Sequence, residues 1–64
     1  MHQSHVIEVS GSFTGAAVQH DQAFRLIAVD PRVEELDGSI WPTIADIHRV
    51  VGHLITTGRL PAGQ

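Results

Sequence analysis

The sequence predicts an α+β fold: a three-stranded antiparallel β-meander followed by one C-terminal amphipathic helix packed on one face, in the order β-β-β-α. Runs of strand length, rich in β-branched and aliphatic residues and separated by short polar or glycine breaks, fill positions 5–29. An Asp30-Pro31 step then ends the strand pattern, because the residue before proline is restricted and proline offers no ladder donor. From Thr43 onward the apolar residues recur three and four apart, the period of a helix that buries one side.

The first strand is read at His5-Val6-Ile7-Glu8-Val9-Ser10, stopped by Gly11. The second spans Phe13 to Gln19, with small residues (Gly15, Ala16, Ala17) in its middle. His20-Asp21-Gln22 supplies a short polar turn. Ala23-Phe24-Arg25-Leu26-Ile27-Ala28-Val29 is the strongest strand pattern. Connections this short favour neighbouring antiparallel strands. Between Asp30 and Gly38, aspartate followed by proline opens a helical turn and glycine closes it; a structured loop fits the same residues. Val33 and Leu36 interrupt four acids there (Asp30, Glu34, Glu35, Asp37), as in a segment laid on the core with its acids outward.

Thr43 is placed to cap the helix, with Asp46 three residues later as in a capping box. Ile44, Ile47, Val50, Val51, Leu54 and Ile55 form one continuous stripe, with Asp46, Arg49, His53 and Thr56 opposite. Gly58 supplies the left-handed stop and Pro61 prevents resumption. Residues 1–4 and 62–64 are read as loose ends of one small domain spanning 1–64.

Composition narrows the function classes. No cysteine is present, which removes disulfides, thiolate metal sites and cysteine nucleophiles. No apolar run reaches the ~18 residues of a membrane span, and the first residues lack the basic and apolar regions of a signal peptide, so a cytoplasmic setting is expected. The formal charge of −3, with only Arg25, Arg32, Arg49 and Arg59 as cations, argues against wrapping a nucleic-acid backbone.

Five histidines (His2, His5, His20, His48, His53) are the candidate metal ligands. His48 and His53 stand about 140° apart around a helix axis and cannot grip one ion together. No H-E-x-x-H spacing occurs, and no cofactor is expected. Ser10, Ser12 and Ser39 lie in no G-x-S-x-G elbow, and Gly11-Ser12-Phe13-Thr14-Gly15 lacks the lysine of a phosphate loop. The expectation is a non-enzymatic chain.

Apolar residues stand on both sides of the third strand: Phe24, Leu26 and Ala28 point one way, Ile27 and Val29 the other. One helix covers one face. In a three-stranded meander the third strand is also an edge, and an uncovered apolar edge invites pairing. Exposing Ile27 and Val29 would forgo about 1.5–3 kcal/mol apiece. The sequence therefore predicts a protein-interaction module, a homodimer or higher oligomer or a binder of another protein. Its interface is expected at Phe24, Leu26, Ile27, Val29 and Trp41, although Trp41 serves equally as an anchor for the helix start. The competing arrangement folds the acidic loop and the Trp41 region over the second face, leaving a monomer.

From Gly15 onward the order of hairpin, Asp30-Pro31 with a loop to Gly38, and Thr43 opening a helix resembles the organisation of HicB-type antitoxin domains. The resemblance is one of architecture and implies a regulator that faces an RNase toxin or operator DNA. In this chain such a regulator would act through the sheet face and Arg25 and Arg32. The Pro-Asp-Leu-Pro-Gly segment such domains tend to show after the second hairpin strand is absent, the first strand has no counterpart, and no residue takes a role through the likeness.

Overall fold

A computed structural model describes residues 4–59. It has the expected α+β architecture, with one strand more than the sequence reading. Strands β1 (Ser4–Val9), β2 (Ser12–His20), β3 (Ala23–Ala28) and β4 (Ile40–Trp41) form one antiparallel sheet in the order β1-β2-β3-β4. A 3₁₀ helix (Pro31–Leu36) links β3 to β4, and α1 (Ile44–Thr57) closes the described chain. Ser4, read as part of a loose end, is the first residue of β1; residues 1–3 and 60–64, with the Pro61 stop expected after the helix, lie outside the described residues.

The hairpins follow from their turn residues. Val9 pairs with Ser12 across a two-residue loop in which Ser10 and Gly11 both have positive φ (+54° and +79°). That combination matches the right-handed twist of the flanking strands. Asp21, at φ +55°, begins the second loop between the paired His20 and Ala23.

A bulge interrupts the β1–β2 ladder: Ile7 pairs with Gly15 but Glu8 pairs with Phe13, so Thr14 is the extra residue. Thr14 is fully buried, and its hydroxyl donates to the Ile7 carbonyl at 2.7 Å, which satisfies a polar group that would otherwise be costly to enclose. The Thr14 carbonyl in turn accepts from the Val29 and Asp30 amides, both at 3.0 Å. Gly15 lies where the strands draw close, since a Cβ there would run into the backbone carbonyl of Ile27. The small-residue centre of β2 is thereby explained at one position.

The missed strand corrects the expectation that β3 is an edge. Gly38 donates to the Leu26 carbonyl at 2.7 Å and Leu26 donates to the Ser39 carbonyl at 2.9 Å. Phe24 then pairs with Trp41 and Arg25 with Ile40. Farther along, the Ala28 amide donates to the Asp37 carboxylate at 2.9 Å. Residues 37–41 therefore occupy the outer side of β3, and the sheet's edges are β1 and β4. The Trp41 indole donates to the Ser39 hydroxyl (2.7 Å), which donates to the Leu36 carbonyl (2.6 Å), tying β4 to the end of the 3₁₀ helix.

Two aspartates fix where the helical segments begin. Asp30 accepts the Arg32 amide at 2.9 Å and grips the Arg32 guanidinium through Nε and a terminal nitrogen at 2.6–3.1 Å. Thr43 caps α1 by accepting the Asp46 amide at 3.1 Å, while its hydroxyl donates to the Asp46 carboxylate at 2.9 Å. At the far end Gly58 takes φ +77° and donates to the Leu54 carbonyl at 2.7 Å. The core sits between α1, the 3₁₀ helix and one sheet face: Ile7, Ala17, Leu26, Val33, Leu36, Ile47, Val50, Val51 and Leu54 are buried.

Replacing Gly15 by alanine forces the β2–β3 backbones apart and is expected to lower stability by about 1–3 kcal/mol, the usual range for overpacking; urea unfolding measures it. The Arg32 hydrogen bonds hold the Asp30 carboxyl below the usual carboxylate range, and the Thr43 hydroxyl followed by Arg49 does the same for Asp46. Because both groups are depressed in the folded state, their contribution is complete above about pH 4 and is lost as pH falls through the lower folded values. The urea midpoint should fall on acidification below about pH 4, and fall less in the double variant Asp30→Asn, Asp46→Asn.

Candidate interaction face of the sheet

Alternation along the strands sorts the sheet into two faces. On the covered face the register aligns Ile7 with Gly15, Ala17 with Leu26, and Phe24 with Trp41. On the other face it aligns Val6, Ala16 and Ile27 in one row. A second row there holds Ser4, Val18, Arg25 and Ile40, and a third begins with Glu8 and Phe13. Alternation beyond Ile27 places Val29 at the end of that third row.

The predicted interface residues therefore divide. Leu26 is wholly buried in the chain's own core, and Phe24 and Trp41 pack half-buried against that core. These three lie on the face that α1 and the 3₁₀ helix cover, opposite Ile27 and Val29; Leu26 is enclosed there, whereas Phe24 and Trp41 remain partly exposed. Ile27 is 40% exposed and Val29 57%, as an open face requires. Sequence reasoning did not include Val6 (60% exposed), Phe13 (48%) and Ile40 (45%) in this surface. Val6 was readable from the alternation of the first strand. Phe13 and Ile40 depended on a bulge and on a two-residue strand that carry almost no periodic signal.

The acidic loop does not fold over this face. Val33 and Leu36 insert into the core with α1, so the 3₁₀ helix shares the helix side of the sheet. Together the five exposed residues amount to on the order of 400 Å² of apolar surface, within the range of the largest patch on a typical monomer, which is often a functional one. The shortest dimension of the molecule, 17 Å, leaves room for the sheet and one helical layer.

The patch has charge at two opposite corners. Glu8 stands at the β1 end of the Phe13 row, and Arg25 stands on β3 in the row of Val18. Among the described residues neither makes a salt bridge or a side-chain hydrogen bond within the chain, in contrast to Arg32 with Asp30 and Arg49 with Asp46. Strand and residue spacings put the Glu8 and Arg25 backbones about 17 Å apart. Arg25 and Arg32 thus differ as nucleic-acid contacts: Arg25 is on the open sheet, while the Arg32 guanidinium is engaged by Asp30 on the 3₁₀ helix.

The histidines are dispersed. His5 meets Phe24 edge-on, with ring centroids 6.1 Å apart, and His20 lies 3.9 Å from the Asp21 carboxylate. His48 and His53 are exposed on α1, and His2 lies outside the described residues. Among the described residues no three histidine or carboxylate side chains converge as a metal site would require. No helix among them is long and apolar enough to cross a membrane. No family model matches the chain, and neither a curated protein nor a solved structure matches it.

Proposed function

We propose that the protein is a small, non-enzymatic interaction module that homodimerises through the open face of its sheet, in a cytoplasmic setting. The observation that carries this reading is the continuous apolar surface of Val6, Ala16, Val18, Ile27 and Ile40, extended by Phe13 and Val29, with no element of the described chain laid over it. A sheet that faced water on this side would carry polar residues at these positions.

A second copy supports the reading in area as well as in chemistry. Adding the partly exposed Ala16 and Val18 and the stems of Arg25 and Glu8 brings the face to about 600 Å² per protomer, the lower end of specific interfaces. Each copy offers the other the same kind of surface, as a twofold association requires.

Sedimentation equilibrium at 10–100 µM, on the order where such an interface should associate, tests the proposal. The expected result is a dimer that Ile27→Asp converts to a monomer with its helical circular dichroism retained. A wild-type monomer across that range would overturn the proposal, and so would an Ile27→Asp protein that dimerises as tightly as wild type.

A further inference from the structure

Resting on the dimer reading, we infer that the two copies stack face to face about a diagonal twofold axis, with Glu8 of each protomer opposite Arg25 of its partner copy.

The argument starts from the register. The open face is a lattice of three rows: Glu8 and Phe13, with Val29 added by alternation past the end of β3; then Val6, Ala16 and Ile27; then Ser4, Val18, Arg25 and Ile40. Ala16 is the middle of the middle row, and Glu8 and Arg25 lie at opposite ends of one diagonal through it. When two identical faces stack, their twofold axis lies in the plane between them, and each position meets its reflection across that axis.

Four simple axes pass through Ala16. One along the strands sets Glu8 against Val29 and Arg25 against Ser4. One across the strands sets Arg25 against Val29 and Glu8 against Ser4. Either leaves a charge pressed on an aliphatic side chain with no counter-ion, which is costly as water is excluded. An axis along the Glu8–Arg25 diagonal sets Glu8 against Glu8 and Arg25 against Arg25, and like charges facing each other are penalised.

The remaining diagonal, running from Ser4 toward Val29, pairs Glu8 with Arg25 twice. The same reflection brings Val6 near Val18 and Phe13 near Ile27, with Ala16 meeting its own copy on the axis. Within the three-strand lattice apolar positions then meet apolar positions, Ile40 lies outside it toward the Ser10–Gly11 turn of the partner copy, and the two charge pairs close opposite corners of the patch. The strands of the two sheets cross steeply, nearer to orthogonal packing than to the aligned class. The absence of ion-pair partners for Glu8 and Arg25 within the described chain fits this role.

Charge exchange tests the register apart from dimerisation itself. Glu8→Arg puts four arginines at the two corner contacts, and Arg25→Glu puts four glutamates there. Each single variant should raise the dimer dissociation constant about tenfold or more in low salt, less in 0.5 M salt. Because both positions are exposed, circular dichroism should be unchanged. Mixing the two single variants should restore association as a heterodimer, since both corner contacts become opposite in sign. The double variant Glu8→Arg, Arg25→Glu should dimerise within about threefold of wild type. A wild-type dimer whose single variants dimerise undiminished, or whose mixture fails to form the heterodimer, would overturn the diagonal register while leaving the dimer standing. A wild-type monomer would overturn both.

Discussion

The arrangement depends on a geometric limit: a helix buries a stripe, whereas a strand projects side chains to both sides. Once Ile47, Val50, Val51 and Leu54 pack on Ile7, Ala17 and Leu26, the helical layer is committed to one face. Every second strand residue then turns away from the only cover the described chain possesses. In most sheets with one wet face those positions are polar. Here Val6, Val18, Ile27 and Ile40 occupy them, and the chain's behaviour outside its own fold follows from that choice.

The strand edges show that the chain can protect a surface locally. The outer side of β3 is occupied by main-chain bonds from Gly38 and Ser39, by the Asp37 carboxylate and by the short strand β4. Aspartates also cap or brace both helical segments at little cost in chain length. Against that background the bare apolar face differs in kind. The same loop that could have crossed it instead turns inward, with Val33 and Leu36 completing the core and Glu34, Glu35 and Asp37 left exposed. Covering the second face from within would have required those two residues on the other side of β3, and the core would have lost them.

Much of the fold was legible because it rests on periodic signals. The helix from Ile44, its Thr43 cap and Gly58 stop, the first three strands and the turn opened by Asp30-Pro31 are all written in residue spacing. The fourth strand was not, because two residues carry no period and Ile40-Trp41 reads equally well as an approach to the helix. The candidate face was half legible for a related reason. Alternation separates Ile27 and Val29 from Phe24 and Leu26 within one strand, but only pairing with Ala16 and Ala17 decides which set meets the helix. The bulge at Thr14 shifts Phe13 into line with Glu8, and a one-residue shift of that kind reverses the face of every residue beyond it.

The two halves of the molecule also bear on one another energetically. Among the described residues the core has nine buried apolar side chains, one of them an alanine, and a small core supplies only about 3–5 kcal/mol. Ligation of the folded state by a second copy adds stability in proportion to the logarithm of concentration over the dissociation constant. Burying Ile27 between copies would protect the β3 ladder beneath it, next to the two-residue β3–β4 pairing, the shortest in the sheet. Folding and association would then be linked through β3: its inner residues pack into the core beside the 3₁₀ helix, its outer residues hold the partner copy, and weakening either side loosens the other.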